Sequence, residues 1–137
     1  MSVAYMYKNG VANLFKKKID YLNDDIKIML CTDQYVPDAI QHIYKSDITA
    51  EVVGEGYVEG GESLSNKSII IDEQGVVRLD CDDVEWKDCT FIAKYAVIYN
   101  NSAEEQVLLG YIDFERPIEF YNTTCRVKFS DNGLLVV

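Results

Sequence analysis

The chain has 137 residues, of which 48% are hydrophobic, and its 13 basic and 23 acidic side chains give a net charge of −10. This length and apolar content fill one core, so we expect a single domain over residues 1–137 that needs no metal or disulfide for stability. Phosphate groups repel such an acidic surface, which argues against nucleic acid and anionic membranes as partners. The charge suits a protein partner with a basic docking face, or it serves solubility alone.

The cysteines give no sign of a metal site. Cys31, Cys81, Cys89 and Cys125 contain no Cys-x-x-Cys pair, and His42 is the single histidine, which disfavours zinc. We expect most of these thiols to be reduced and buried as small apolar side chains in a cytosolic setting. The first residues lack the apolar core of a signal peptide, and no window is long enough to span a bilayer.

Helical periodicity appears once, near the N-terminus. Apolar residues at helical spacing, with Lys16–Lys18 on the other side, predict one amphipathic helix over residues 11–22. A buried strand is expected at Ile26–Cys31. Residues 32–47 form a long connection with one or two helical turns at 39–44, and residues 48–53 are extended.

The glycines at positions 54, 56, 60 and 61 predict a loop with positive backbone φ angles. A loop that cradles phosphate needs a helix N-terminus behind the glycines. Here Glu55, Glu59 and Glu62 would repel the anion and a strand follows, so we interpret the loop as structural.

The rest of the chain alternates strands and turns. Residues 67–72 and 76–81 predict a hairpin around Gly75, and Thr90–Tyr99 predicts a central strand with Phe91, Ala93, Tyr95, Val97 and Tyr99 on one face. This strand pairs with residues 106–114, Val97 facing the Leu108 region, and extended segments at 118–121, 126–129 and 134–137 follow, the last after an Asn-Gly turn in 130–133. With about eight strands between 26 and 137, the expected fold is mainly β, a single-domain antiparallel β-sandwich or barrel-like fold with one N-terminal amphipathic helix.

Two clusters of polar residues were candidates for chemistry. Five carboxylates, Asp80, Asp82, Asp83, Glu85 and Asp88, could bind Ca²⁺, but their spacing is not that of a calcium loop. We interpret them as solvated strand-end charges that also discourage edge pairing.

His42, near Tyr44 and Asp47, resembles a base with an orienting carboxylate, although no nucleophile signature accompanies it. A surface histidine is the preferred interpretation. The sequence thus predicts no catalytic, metal-binding or cofactor-binding residues, and no enzyme.

The aromatic content is the remaining unusual feature. Half or more of the ten tyrosines and five phenylalanines should fill the core. Tyr5, Tyr7, Tyr35 and Tyr44 lie in segments of weak periodicity, so we expect these four outside the core as candidate partner-docking residues.

Seven segments, in order over about nine-tenths of the chain, carry a family resemblance. They are Ile26-Lys27-Ile28-Met29-Leu30, Tyr35-Val36-Pro37-Asp38, Ser46-Asp47, Gly54 to Gly61 with Leu64, Asp83-Val84-Glu85-Trp86, Ala93 to Tyr99, and Leu108-Leu109-Gly110-Tyr111-Ile112-Asp113-Phe114. In this set the chain resembles small virion structural proteins of tailed bacteriophages. The resemblance rests on the shared order of the seven segments.

The resemblance implies a non-enzymatic capsid decoration protein in the virion, assembled in the host cytoplasm, which reinforces the shell. Its implied partners are the major capsid protein or other virion proteins, and self-association stays open beside them. The alternative is a tail, connector or baseplate component. A carbohydrate-binding module ranks lower, motivated by Trp86, the tyrosines and the acidic cluster.

Overall fold

The fold consists of two antiparallel β-sheets and one helix near the N-terminus. It is described by a computed structural model for residues 2–129 and 134–137. The elements are β1 Val3–Met6, α1 Lys8–Phe15, β2 Ile26–Cys31, a 3-10 turn at Lys45–Asp47, β3 Glu62–Ser63, β4 Ser68–Ile71, β5 Val77–Asp80, β6 Val84–Asn100, β7 Leu108–Val127 and β8 Leu135–Val136. The larger sheet has the order β1-β7-β6-β2-β3 and the smaller one β4-β5-β8.

The predicted fold class is confirmed. The chain is mainly β, both sheets are antiparallel, and they do not close into a barrel. The hairpin at Gly75 appears as β4 and β5, and the strand at Ile26–Cys31 appears with the predicted bounds. The turn predicted at 130–133 lies outside the described residues. Within the described part, no helix has the length and apolar content to cross a membrane.

The hairpin of β6 and β7 forms the centre of the larger sheet. It is longer than predicted, because the segments at 106–114, 118–121 and 126–129 largely merge into β7, which runs for 20 residues. The predicted hairpin is present, but Leu108 pairs with Tyr99, and Val97 pairs with Tyr111, three residues beyond the predicted partner. Pro117 does not end the strand, because it lies where the register shifts and the ladder needs no amide donor.

The same register shift changes which side chains of β6 share a face. Five alternating residues were predicted on one face, but Ala93 lies in the core between the sheets while Tyr95 lies on the opposite side of the larger sheet. The register shift between these two residues explains the difference, because an irregularity in a strand exchanges the faces of all residues beyond it.

The helix is shorter than predicted and begins earlier, at Lys8–Phe15 instead of residues 11–22. It ends because Lys17 adopts a left-handed conformation with φ of 61°. The amide of Lys18 then donates to the carbonyl of Asn13 at 2.9 Å, and the amide of Lys17 donates to that of Leu14 at 3.3 Å. These two hydrogen bonds form a Schellman C-cap, a position that glycine usually signals.

Two core layers cover both faces of the larger sheet. Residues from both sheets fill the first layer, which includes Leu79, Trp86 and Leu135. The second layer lies on the other face of the larger sheet, beneath the connection around Tyr35. Residues 48–53, predicted as extended, make one isolated bridge to the sheet, from Glu51 to Cys31, instead of a named strand. The edge strand β1, which was not predicted, pairs with β7 from Val3↔Asp113 to Met6↔Gly110.

The thiols lead to an expected dependence of stability on pH. Burial raises the pKa of Cys31, Cys81 and Cys125 to about 12, from an ordinary value of 9.0. A raised pKa in the folded state stabilises the fold fully below the unfolded value, and this contribution is lost as the pH rises through the folded value. We therefore expect the urea midpoint, measured under reducing conditions, to be flat from about pH 6 to 8 and to fall steadily above about pH 9.

Cys31→Ala serves as the internal comparison for this titration. It removes one of the raised thiols, so its urea midpoint should fall less steeply with pH than that of the unaltered chain. Buried tyrosines, among them Tyr99 with a pKa of about 12, add to the loss at higher pH. A midpoint that stays constant to about pH 11 would contradict this account of the buried thiols.

Candidate docking surface

The four tyrosines predicted outside the core have different surroundings. For Tyr7 and Tyr35 the prediction is wrong, since both are essentially inaccessible at 0% and 1% exposure and belong to the second core layer. Tyr44 is half-buried and packs against the first layer. Tyr5 is 44% exposed, and its ring stacks on that of Tyr111 with centroids 5.1 Å apart. Of the four, Tyr5 presents the most accessible ring to a partner.

Tyr7 and Tyr35 are buried because their hydroxyl groups have partners. The hydroxyl oxygens lie 2.7 Å apart, and that of Tyr35 lies 2.8 Å from Nδ1 of His42. The amide of Asp38 also donates to Nδ1, which makes this nitrogen the acceptor. Burial raises the pKa of Tyr7 far above its ordinary value, with the hydrogen bond to Tyr35 as the next cause. The two tyrosine hydroxyls therefore stay neutral. Together with His42 they hold residues 32–50, which follow β2 and are called the 32–50 connection below, against the sheet.

His42 is not assembled with Asp47 as a catalytic base. One carboxylate oxygen of Asp47 accepts the amides of Ile43 and Tyr44 at 2.9 Å each, and these bonds hold its pKa below the usual range. This carboxylate therefore caps the 3-10 turn. His42 is half-buried against Tyr35, with ring centroids 5.6 Å apart, so the predicted surface histidine is better described as a packing residue.

The glycine loop is structural, as its sequence indicated. Gly56, Gly60 and Gly61 have positive φ angles, and the carboxylate of Glu51 holds the loop by accepting the amide of Gly60 at 2.7 Å. The same carboxylate accepts the hydroxyl of Tyr57 at 2.5 Å, and that hydroxyl accepts the amide of Leu30 from β2 at 3.0 Å. The carboxylate of Glu51 thus takes up the amide of Gly60 and places a negative charge against the loop.

The acidic cluster is divided among local contacts. Asp82 accepts a hydrogen bond from the side chain of Asn66, and Asp83 accepts the amide of Phe129 at 2.9 Å. Glu85 forms an exposed ion pair of 3.2 Å with Arg126 on the neighbouring strand. Within residues 2–129 and 134–137, no three histidine, cysteine or acidic side chains are placed to hold a metal ion. The interpretation as solvated strand-end charges holds for Asp82, Asp83 and Glu85, whereas Asp80 is half-buried and Asp88 lies within β6.

An exposed apolar surface lies where α1 meets the smaller sheet. Phe15, at the end of the helix, is 82% exposed, and the adjoining strand β4 exposes Ile69, Ile70 and Ile71. Between them is an open groove of about 520 Å³, lined on the sheet side by Ile69, Val77, Leu79 and Val137. We name Phe15 and Ile69–Ile71 the apolar edge. Exposed apolar side chains that cluster in this way are typical of interaction sites.

Sequence reasoning missed the apolar edge. The sequence predicts the run Ile69-Ile70-Ile71 as part of the hairpin, and it lies there in β4. Three consecutive isoleucines expose apolar side chains on both faces of a strand, and this was the available signal. Their exposure depends on β4 being an edge strand, and the order of the strands cannot be read from the run itself.

Comparisons with known proteins found no matching family model, curated protein or solved structure.

Proposed function

We propose that this protein is a non-enzymatic structural component of a tailed-bacteriophage particle that decorates and stabilises the capsid shell. The observation that carries the proposal is the set of seven segments, kept in order, by which the sequence resembles small virion structural proteins. The partner is then the major capsid protein or another virion protein.

The positions of these segments in the fold agree with a shared scaffold. Trp86 and the Ala93–Tyr99 segment are core residues, and the glycine loop is anchored to β2 and β6. Core and loop-anchoring residues carry the fold, whereas function is carried by particular sites placed on it. The docking residues are therefore sought among accessible side chains outside these segments.

Tyr5 is the docking residue that best fits this role. Its stacking on Tyr111 holds the ring in one orientation, so little conformational freedom is lost on binding. Exposed tyrosines on a rigid support often dominate binding energy at protein interfaces. Tyr5 lies on β1, the edge strand of the larger sheet, and so at a different sheet edge from β4.

Binding to capsids that lack the protein tests the proposal. We expect saturable binding at sites that follow the symmetry of the shell, seen by cryo-electron microscopy of the decorated particle. Tyr5→Ala should weaken this binding by about tenfold or more, since truncated anchor residues cost about 2 kcal/mol. The matched control is Tyr121→Ala, which removes a tyrosine that is 78% exposed on β7 and should change the affinity by less than about twofold.

Absence of saturable binding would reject the decoration role. Density for the protein at the tail, connector or baseplate would support the alternative assignment to those structures. The carbohydrate-binding hypothesis loses its principal aromatic platform, because Trp86 is 2% exposed and cannot stack on a sugar.

A further inference from the structure

Strand β4 is an unprotected sheet edge. Among the described residues it pairs with β5 alone, from Ser68↔Asp80 to Ile71↔Val77. Natural edge strands are usually protected by charges, proline or bulges. The last three of the four positions of this edge are instead isoleucines, and Ile71 is 70% exposed.

The hydrogen-bond pattern shows which backbone groups of β4 face outward. The amide of Asp72 donates to the carbonyl of Val76 at 3.0 Å and its carbonyl accepts the amide of Gly75 at 3.0 Å, so the backbone groups of Asp72 point across the hairpin, as in a hydrogen-bonded pair. Because such pairs alternate along an antiparallel ladder, Ile70 also bonds toward β5, whereas the amides and carbonyls of Ile69 and Ile71 point away from it. The edge therefore offers two outward donors and two outward acceptors to another strand.

We propose that two copies of this chain associate through β4, which pairs antiparallel with β4 of the second copy about a twofold axis at Ile70. The two smaller sheets then become one continuous sheet. Ile69 of each copy faces Ile71 of the other, and these residues exchange the outward hydrogen bonds. The association also covers the isoleucines of the apolar edge.

The register follows from symmetry and charge. A twofold axis perpendicular to a sheet places one residue of the strand opposite its own copy. With Ile70 on the axis, isoleucine faces isoleucine and Lys67 faces Glu73 at both ends, which gives two contacts between opposite charges. Centring on Ile69 would place Lys67 against Ile71, and centring on Ile71 would place Ile69 against Glu73. The Ile70 register is thus the complementary one.

Lys67 can make this contact without losing its present partner. Its ammonium donates to the carbonyl of Asp24 and lies 5.8 Å from the ring centroid of Tyr21. An ammonium has three donors, so one bond leaves others for Glu73 of the second copy. Glu73 is exposed at the hairpin turn.

Sedimentation of the purified full chain over a wide concentration range tests the pairing. At about 0.15 M salt, which screens the repulsion between two acidic molecules, the mean mass should rise reversibly from 15.6 kDa toward twice that value. A chain that remains monomeric at the highest soluble concentration overturns the proposal. Binding of an extended segment of another protein by the edge of a monomeric chain would likewise overturn the pairing of two copies.

Two exposed isoleucines provide a matched pair of variants. Ile71→Lys places a charge in the paired edge and should weaken self-association by about tenfold or more. Ile40→Lys makes the same change at a residue that is 67% exposed in the 32–50 connection, and should leave self-association within about twofold. Equal effects of the two variants would overturn the assignment to β4.

A charge exchange tests the register. Glu73→Lys places like charges together at both ends and should weaken association several-fold, whereas the double variant K67E/E73K restores opposite charges and should recover most of the affinity. A double variant no stronger than Glu73→Lys would overturn the Ile70 register, and circular dichroism checks that each variant is folded. The inference does not depend on the capsid role: a monomer that binds capsids would overturn this pairing and leave the proposed function intact.

Discussion

Gly61→Ala is expected to destabilise the protein by about 3 kcal/mol or more, a large part of the stability of a small domain. A methyl group at this position would lie 1.9 Å from the carbonyl oxygen of Ile28 and 2.8 Å from the Cα of Met29. Both atoms belong to the backbone of the central part of the sheet, so neither can rotate away. The loop would have to separate from β2, where Lys27 pairs with Ser63. Urea unfolding followed by circular dichroism measures the loss.

Gly75→Ala is the control that separates crowding from backbone strain. Gly75 has a φ angle of 79° and Gly61 one of 78°, but an added methyl group at Gly75 meets no atom within 4 Å. The two substitutions therefore carry the same conformational cost, about 1–2 kcal/mol for a left-handed residue. The difference between them isolates the clash with Ile28. If both variants lost the same stability, the close approach of the loop to β2 would not hold in solution.

Trp86→Ala is expected to cost about 3–5 kcal/mol, the range for removing a large aromatic side chain from a core. The ring is 2% exposed and packs in the layer between the two sheets, with the ring of Tyr57 6.0 Å away. Its removal leaves a cavity between the two sheets, and the backbone there, held by the pairing of Trp86 with Cys125 on β7, can close over it only in part. Thermal unfolding followed by circular dichroism suits this measurement, because Trp86 is the single tryptophan and its fluorescence is lost in the variant.

Trp86→Phe should be much milder, at about 1–2 kcal/mol. The indole nitrogen is buried and has no hydrogen-bond partner within the described residues. Phenylalanine therefore removes volume without breaking a hydrogen bond, and it also removes an unsatisfied polar group. A loss as large as that of Trp86→Ala would indicate that the indole nitrogen has a partner, such as a buried water.

The candidate docking residues could be predicted in part. The positive φ angles of Gly56, Gly60 and Gly61 were predicted correctly, because a cluster of glycines marks such a backbone in the sequence itself. Tyr7 and Tyr35 were wrongly placed outside the core, since their burial depends on contacts across 28 residues of sequence and on His42. The weak hydrophobic periodicity around Tyr35 reflects the lack of regular secondary structure there. Weak periodicity gives no information on whether a side chain is buried.

The amino-acid sequence by itself determined the fold class, the hairpin at Gly75, the strand at Ile26–Cys31 and the burial of most cysteines, because these follow from local alternation and turn residues. The structure alone decided where α1 ends, which face of β6 each residue joins, and that β4 is an edge. The faces of β6 and the position of β4 depend on contacts between distant segments, through the register shift near Pro117 and the order of strands in the smaller sheet. The helix instead ends at a local cap, where Lys17 adopts a left-handed conformation without the glycine that usually signals it. The exposure of the apolar edge is therefore a property of the assembled sheets.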